Sequence, residues 1–227
     1  LAQLVFHKDA ANAGEAGFRL DLNFGYTVPK AIHAVGAASS DDFDVRQAYI
    51  SYVAPVGSGL KLDFGKFVTD HGLEVIEGYE DWNLNYSRSF LFYYSIPFTH
   101  TGLRATYKVS DMLTLSGAVV NGWDNVDDNN NSKSFHAHAI VTPLPDTTVN
   151  LKYMAGTEAN DTRHLFNVNL SKSFGALTLK ADYVYGSEDN VPVYGDSTWT
   201  GVAGYARYAF SEKFAMNVRA EVFSDNE

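Results

Sequence analysis

The sequence predicts an all-β chain, a transmembrane antiparallel up-and-down β-barrel, on three observations. Apolar and polar residues alternate in segments of about 8 to 12 residues, the period of a strand with two unlike faces. The links between those segments alternate between long and short. No stretch approaches the roughly 18 to 20 apolar residues that a membrane-crossing helix needs. The nearest, Ser89 to Leu103, is interrupted by Pro97 and His100.

Composition agrees with these observations. The 227 residues include 15 Phe and 14 Tyr, more rings than a soluble core of this size requires; a barrel places them in interfacial girdles and a lipid-facing band. The net charge of −10 speaks against nucleic acid, which calls for a basic stripe. The absence of cysteine removes disulfides, thiolate nucleophiles and Cys-ligated metals. The chain begins at Leu1 without a signal-peptide pattern, so export is argued from the strands.

Leu1 to Phe6 forms an apolar first strand, followed by a link over 7–16. The clearest strand is Gly17 to Val28. Phe18, Leu20, Leu22, Phe24, Tyr26 and Val28 share one face, and Arg19, Asp21, Asn23 and Thr27 the other, a division no helical period makes. Ala48, Ile50 and Tyr52 oppose Gln47 and Ser51; Leu60, Leu62 and Phe64 oppose Lys61 and Asp63. Leu103, Ala105 and Tyr107 oppose Arg104, Thr106 and Lys108; Leu113, Leu115 and Val119 oppose Thr114 and Ser116. Phe135, Ala137 and Ala139 oppose His136 and His138, and Leu151 and Tyr153 oppose Asn150 and Lys152. Phe166, Val168 and Leu170 oppose Asn167 and Asn169, while Leu179, Tyr183 and Tyr185 oppose Lys180 and Asp182. Val202 to Tyr208 is a weaker strand, and in the last, Phe214, Met216, Val218 and Val222 oppose Asn217, Arg219 and Glu221.

The long links are 29–42, 69–100, 122–132, 156–163 and 186–198; between them come the short links 55–59, 110–112, 143–147, 173–176 and 211–213. Outer-membrane barrels have short periplasmic turns and longer external loops, so Gly17 to Val28 runs outward. The strand from Phe214 then also runs outward and needs a returning partner. About 12 strands are visible, and an even-numbered closed barrel needs about 14 or more. The expectation is a single β-barrel domain over 1–227, incomplete at both ends.

Two residue groups carry a family likeness. One is Asp44-Val45-Arg46-Gln47-Ala48-Tyr49-Ile50-Ser51-Tyr52 followed by Leu62-Asp63-Phe64-Gly65-Lys66; the other is Pro97-Phe98-Thr99-His100-Thr101-Gly102 followed by Val120-Asn121-Gly122-Trp123-Asp124. Together they resemble the OmpL-like β-barrel porins, porin family 2, over about Gly17 to Phe223. The resemblance implies a channel in the outer membrane of a Gram-negative bacterium, with no catalytic residues to carry over. The chain departs from the family at its ends, where first and last strands are absent.

Function in such a barrel resides in the lumen wall and in any loop that narrows it. The candidate pore-lining residues are Arg19, Asp21, Lys61, Asp63, Arg104, Lys108, Lys152, Lys180, Asp182, Arg219 and Glu221. The link 69–100 is the candidate constriction, through Glu74, Glu77, Glu80, Asp81 and Arg88, unless residues around 89–96 form an extra strand pair. The external links hold an acidic surplus at Asp124, Asp127, Asp128, Glu158, Asp161, Glu188, Asp189 and Asp196.

His136 and His138 share a face but find no third ligand, and Asp124 to Asn131 lacks the spacing of a calcium loop, so no metal or other cofactor is expected. No spaced nucleophile motif occurs, and no catalytic residue is assigned. The reading is passive diffusion of small hydrophilic solutes and ions. Its partners are outer-membrane lipid and lipopolysaccharide, with a homo-oligomer as a further option and no nucleic acid. Two rivals stand: a structural or adhesive barrel with a plugged lumen, and a secreted carbohydrate-binding β-sandwich.

Overall fold

A computed structural model describes residues 2–26, 28, 42–76, 83–158 and 161–226. Among the described residues twelve strands form one antiparallel sheet: β1 (Ala2–Lys8), β2 (Ala16–Phe24), β3 (Phe43–Ala54), β4 (Leu60–Val68), β5 (Thr99–Lys108), β6 (Leu113–Val120), β7 (Ser134–Val141), β8 (Thr147–Thr157), β9 (Thr162–Phe174), β10 (Leu177–Val191), β11 (Gly195–Ser211) and β12 (Phe214–Asn226). Each strand pairs with its neighbour in sequence, β1 through β12. Among the described residues no ladder joins β12 to β1. The one helix described, α1 (Phe90–Ser95), lies between β4 and β5.

Burial is inverted with respect to a soluble protein. Phe64 is 62% exposed while its neighbour Asp63 is 2% exposed. In β9, Phe166, Val168 and Leu170 are exposed, and Asn167 and Asn169 are buried. A chain in water reverses this order, because each buried polar group costs free energy and each exposed apolar one gains nothing. In lipid the apolar face is the solvated one, and the polar face must find partners inside. A single sheet with an uncovered apolar face also rules out the β-sandwich, which buries that face between two sheets.

Three expectations about extent need correction. The strand predicted over Gly17 to Val28 ends at Phe24, and Gly25 follows at φ 117, a region of backbone space that glycine enters at no steric cost. The predicted external links 156–163 and 186–198 shrink to the connections after Thr157 and Val191, because β8 to β11 continue outward as paired strands. Their polar residues find partners across the ladder: Arg163 bonds Glu188 at 2.7 Å, and Glu188 sits opposite Ser197. Polarity there reads as loop in sequence but serves a two-sided wet ribbon. The predicted link 29–42 lies mostly outside the described residues.

Around 89–96 the chain forms α1 and no strand pair. Phe90-Leu91-Phe92-Tyr93-Tyr94 does not alternate. Ser89 caps the helix, its Oγ accepting from the Phe92 amide at 3.1 Å, as an N-cap serine does. Ile96 ends it in extended conformation, the state imposed on a residue before proline, here Pro97.

The inverted burial predicts a strong asymmetry between faces. Val168→Arg, at the middle of β9 on the outer face, should destabilise the folded protein in lipid vesicles by about 2 to 4 kcal/mol. Ser171→Arg, on the inner face of the same strand, should change stability by less than about 1 kcal/mol. Denaturant unfolding in vesicles measures both, and equal costs would contradict the assignment of faces.

Candidate functional site

The connection from Val68 to Thr99 folds over the polar face of the sheet and is tethered to the opposite wall. Its first anchor is backbone. The Gly72 amide donates to Asn167 Oδ1 at 2.8 Å, and the Leu73 amide to Asp182 Oδ2 at 3.1 Å. Lys152 Nζ donates to the Gly72 carbonyl at 2.7 Å and also to Asn169 Oδ1. Asn167 and Asn169 both donate to Asp182 Oδ1, at 2.7 and 2.6 Å. Gly72 is required here, because it has φ 81 and a Cβ would stand 2.5 Å from Ile96 Cδ1.

The second anchor is Arg219 on β12. Its guanidinium donates to Glu221 Oε1 at 3.1 Å, Glu74 Oε1 at 3.3 Å, the Ser87 carbonyl at 2.6 Å, Ser87 Oγ at 3.1 Å and the Arg88 carbonyl at 3.0 Å. Glu74 also accepts from the Ser89 amide at 2.7 Å and from Ser89 Oγ. Glu221 accepts from the Phe90 amide at 2.7 Å. Arg88 turns inward on its own connection, donating to the Val75 carbonyl at 2.9 Å and the Ile76 carbonyl at 3.0 Å. A guanidinium suits such a node because it presents five donors in a rigid fork.

Helix α1 then sits in an apolar seat. Leu91 and Phe92 pack with Met154, Leu165, Val184, Ala203 and Tyr205, residues of the inner face that interrupt its polarity. Gly201 makes room, since a Cβ there would come within 2.8 Å of Leu91 Cδ1. Trp199 Nε1 donates to the Ser95 carbonyl at 3.1 Å.

The connection returns to the near wall through Asp124, whose Oδ1 accepts from the Phe98 and Thr99 amides at 2.6 and 2.8 Å. Burial raises the Asp124 carboxyl to about 6, against those two amides, which favour the charged form. At the outgoing end, Arg104 bridges Asp63 and Asp70, both at 3.0 Å, and lies 4.5 Å over the Phe67 ring. Next to Asp70, His71 meets His136 edge to face at 5.2 Å, and His136 meets His100 at 4.2 Å. Burial, then the neighbouring His136 and Lys152, hold the His71 imidazole well below its ordinary value of 6.5. His71 is therefore neutral at pH 7.

The candidates of the sequence divide into groups. Lys152, Asp182, Arg219, Glu221, Glu74 and Arg88 converge on the tethered connection as anchors, not as freely wetted lining. Asp21 is fully buried with Arg19 at 2.9 Å and takes a hydrogen bond from Gln47. Lys61 keeps a 42% exposed side chain 3.7 Å from Asp63. Lys180 lies on the inner face nearer the short turns, in register with Ser171 and Tyr205. Lys108 is displaced from the expected lining to the rim, where it pairs with Asp111 of the short turn at 2.7 Å. Glu77, Glu80 and Asp81 lie outside the described residues. Asn167, Asn169, His71, Ser87 and Ser89 escaped prediction, because a neutral amide or hydroxyl on a polar strand face looks like ordinary wall.

The model of one protein family matches residues 1–227, a family described as "beta-barrel porin-2, OmpL-like". The chain belongs to this porin family. It is an outer-membrane β-barrel of the Gram-negative envelope, embedded in lipid. Among solved structures, it is similar to Pseudomonas putida OprB at 13% identity and TM-score 0.56, over 86% of this chain and 64% of that one. The chain thus spans less than two thirds of that relative. It also matches Vibrio cholerae OmpT, described as an outer membrane protein: a loop L8 deletion mutant at 14% identity, TM-score 0.46, over 99% and 84% of the two chains, and the in-vitro folded form at 11%, TM-score 0.47, over 98% and 78%. No curated protein matches the sequence.

The depressed His71 fixes the sign of a pH effect. Its folded form binds a proton less readily than a solvated histidine does, so its contribution to docking is complete above 6.5 and is lost as pH falls towards the depressed value. Hydrogen exchange of the amides of residues 70–76, corrected for intrinsic rates, should therefore quicken between about pH 7 and pH 5. His71→Gln should remove that excess; protection that stays constant across the range would contradict it.

Proposed function

We propose that the chain forms a channel for passive diffusion of small hydrophilic solutes and ions, narrowed by the connection over 69–98. The carrying observation is the pair of anchors at Lys152–Asp182 and Arg219–Glu221, which hold that connection over the polar face. A segment so tethered reduces the cross-section open to solute and leaves the short-turn side of the lumen wet. Glu74 and Arg88 work in this reading as fasteners. The reading is non-catalytic, since the buried carboxylates are spent on guanidinium, ammonium and amide donors that hold structure. Lipid and lipopolysaccharide cover the outer face, or another copy of the barrel covers part of it; the mass of the detergent-extracted particle separates these.

The apolar seat of α1 supports the second reading, a structural barrel with a plugged lumen. Conductance decides between the two. Full-length protein refolded into planar bilayers should give discrete current steps, and a silent membrane would favour the plug. Arg219→Ala removes the guanidinium from Glu74, Glu221 and three loop acceptors, a loss of about 1 to 3 kcal/mol. The variant should show larger and noisier steps than the parent. Steps of unchanged size would count against a narrowing by this connection.

A further inference from the structure

On the outer face of β6 to β9 the apolar surface is not smooth. A groove of about 500 Å³ opens there to lipid, with the short side chains of Ala137 and Ala139 of β7 set among the longer ones of Leu115, Leu151 and Val168. Tyr153 and Phe166, whose rings lie 4.6 Å apart, bound it on the side away from the short turns.

Register carries the groove down to a cation. Ala137 faces Tyr153 and Ala139 faces Leu151; Tyr153 faces Phe166, Leu151 faces Val168, Val149 faces Leu170 and Thr147 faces Lys172. Lys172 therefore shares the lipid-facing parity of Phe166, Val168 and Leu170, at the short-turn end of β9. Its ammonium leans across β8 to the turn that joins β7 to β8. There Nζ donates to the Pro145 carbonyl at 2.8 Å, and it lies 5.3 Å over the Phe174 ring. Long basic side chains at such an edge keep their stems on apolar surface and their heads in the polar layer. Of the three donors an ammonium carries, one meets Pro145, and among the described residues Lys172 forms no ion pair, with Asp146 of the same turn or any other carboxylate. From Phe166 to Lys172 the strand advances six residues, about 20 Å along its axis or roughly 14 Å of height at a tilt near 45°. That is about half of the roughly 25 Å lipid-facing band, the depth of one leaflet.

We propose that this groove and Lys172 form a seat for one glycerophospholipid of the periplasmic leaflet, with an acyl chain along Ala139 and Ala137 and the phosphate on the Lys172 ammonium. Short turns of such barrels face the periplasm, which places Lys172 at that leaflet's headgroups. Hydrocarbon does not drive an acyl chain onto an apolar wall, because lipid tails are as apolar as leucine. A groove differs from a flat wall in giving the chain dispersion contacts on several sides. Charge adds to this at the headgroup, where one lysine near an anionic lipid surface changes binding by about fivefold. Such a seat requires only that the outer face meets lipid, whatever passes through the lumen.

The test is native mass spectrometry of the full-length protein, refolded in detergent and titrated with phosphatidylglycerol or with diacylglycerol of the same chains. One phosphatidylglycerol should bind ahead of all others, about fivefold more tightly than diacylglycerol, which lacks the phosphate. Lys172→Gln should abolish that preference, and Lys172→Arg should keep it. Ala139→Phe fills the groove and should weaken both lipids by about fivefold or more, as some ten lost atom contacts would. Val202→Phe, at a lipid-facing site outside the groove, should weaken neither. No lipid bound ahead of the rest, a preference that survives Lys172→Gln, or binding indifferent to Ala139→Phe overturns the seat. So does a tighter hold on lipopolysaccharide through Lys172, which gives the site to the lipid of the other leaflet. An oligomer that excludes lipid and comes apart in Ala139→Phe overturns it as well, giving the groove to a second copy of the barrel.

Discussion

Everything in this structure depends on one constraint: in hydrocarbon, no backbone amide or carbonyl can go without a partner. Only neighbouring strands can supply those partners here, so the sheet is continuous from β1 to β12 with every strand beside its sequence neighbour. Once the outer face is given to lipid, strand alternation sends most polar strand residues inward. The interior must then satisfy charges instead of burying methyl groups, and Asp21, Asp63, Asp182 and Glu188 are all under 4% exposed. Each of these carboxylates has a hydrogen-bonding partner on a neighbouring strand.

The tethered connection follows from that crowding. A wall lined with donors and acceptors offers a passing backbone the bonds that water would otherwise make. Gly72 and Leu73 take them from Asn167 and Asp182. The apolar patch of Leu165, Val184 and Ala203 adds a different attraction for α1. Polar anchors at either side fix position, and the seat between them supplies most of the hydrophobic contact. Breaking one anchor therefore loosens the connection without expelling it.

Much of the fold was legible because the period-2 signal is local. Phe166, Asn167, Val168 and Asn169 announce a strand, its faces and its partners without reference to anything distant. The ends of strands were less legible. Where β9 and β10 leave the membrane both faces become wet, alternation fades, and Glu188-Asp189-Asn190 reads as loop although Glu188 still pairs across the ladder. Helix α1 was hidden for another reason: its five consecutive apolar or aromatic residues have no period of their own, and only the seat on β9 to β11 makes them helical. The candidate site was partly legible. Charged wall residues stood out, but which ones would be claimed by the connection depends on contacts between residues up to about 145 positions apart, such as Glu74 with Arg219.

The prolonged hairpins of β9, β10 and β11 have an architectural consequence. At about 3.3 Å per residue, the 17 residues of β11 extend some 55 Å, or roughly 40 Å of height at a tilt near 45°. The lipid-facing band of such barrels is only about 25 Å tall. One side of the barrel therefore stands above the membrane as a stiff, hydrogen-bonded parapet, while the side bearing β5 to β7 ends near the surface. Antibodies approaching this flank would meet folded shape and not linear peptide, and proteases would find little slack chain to cut.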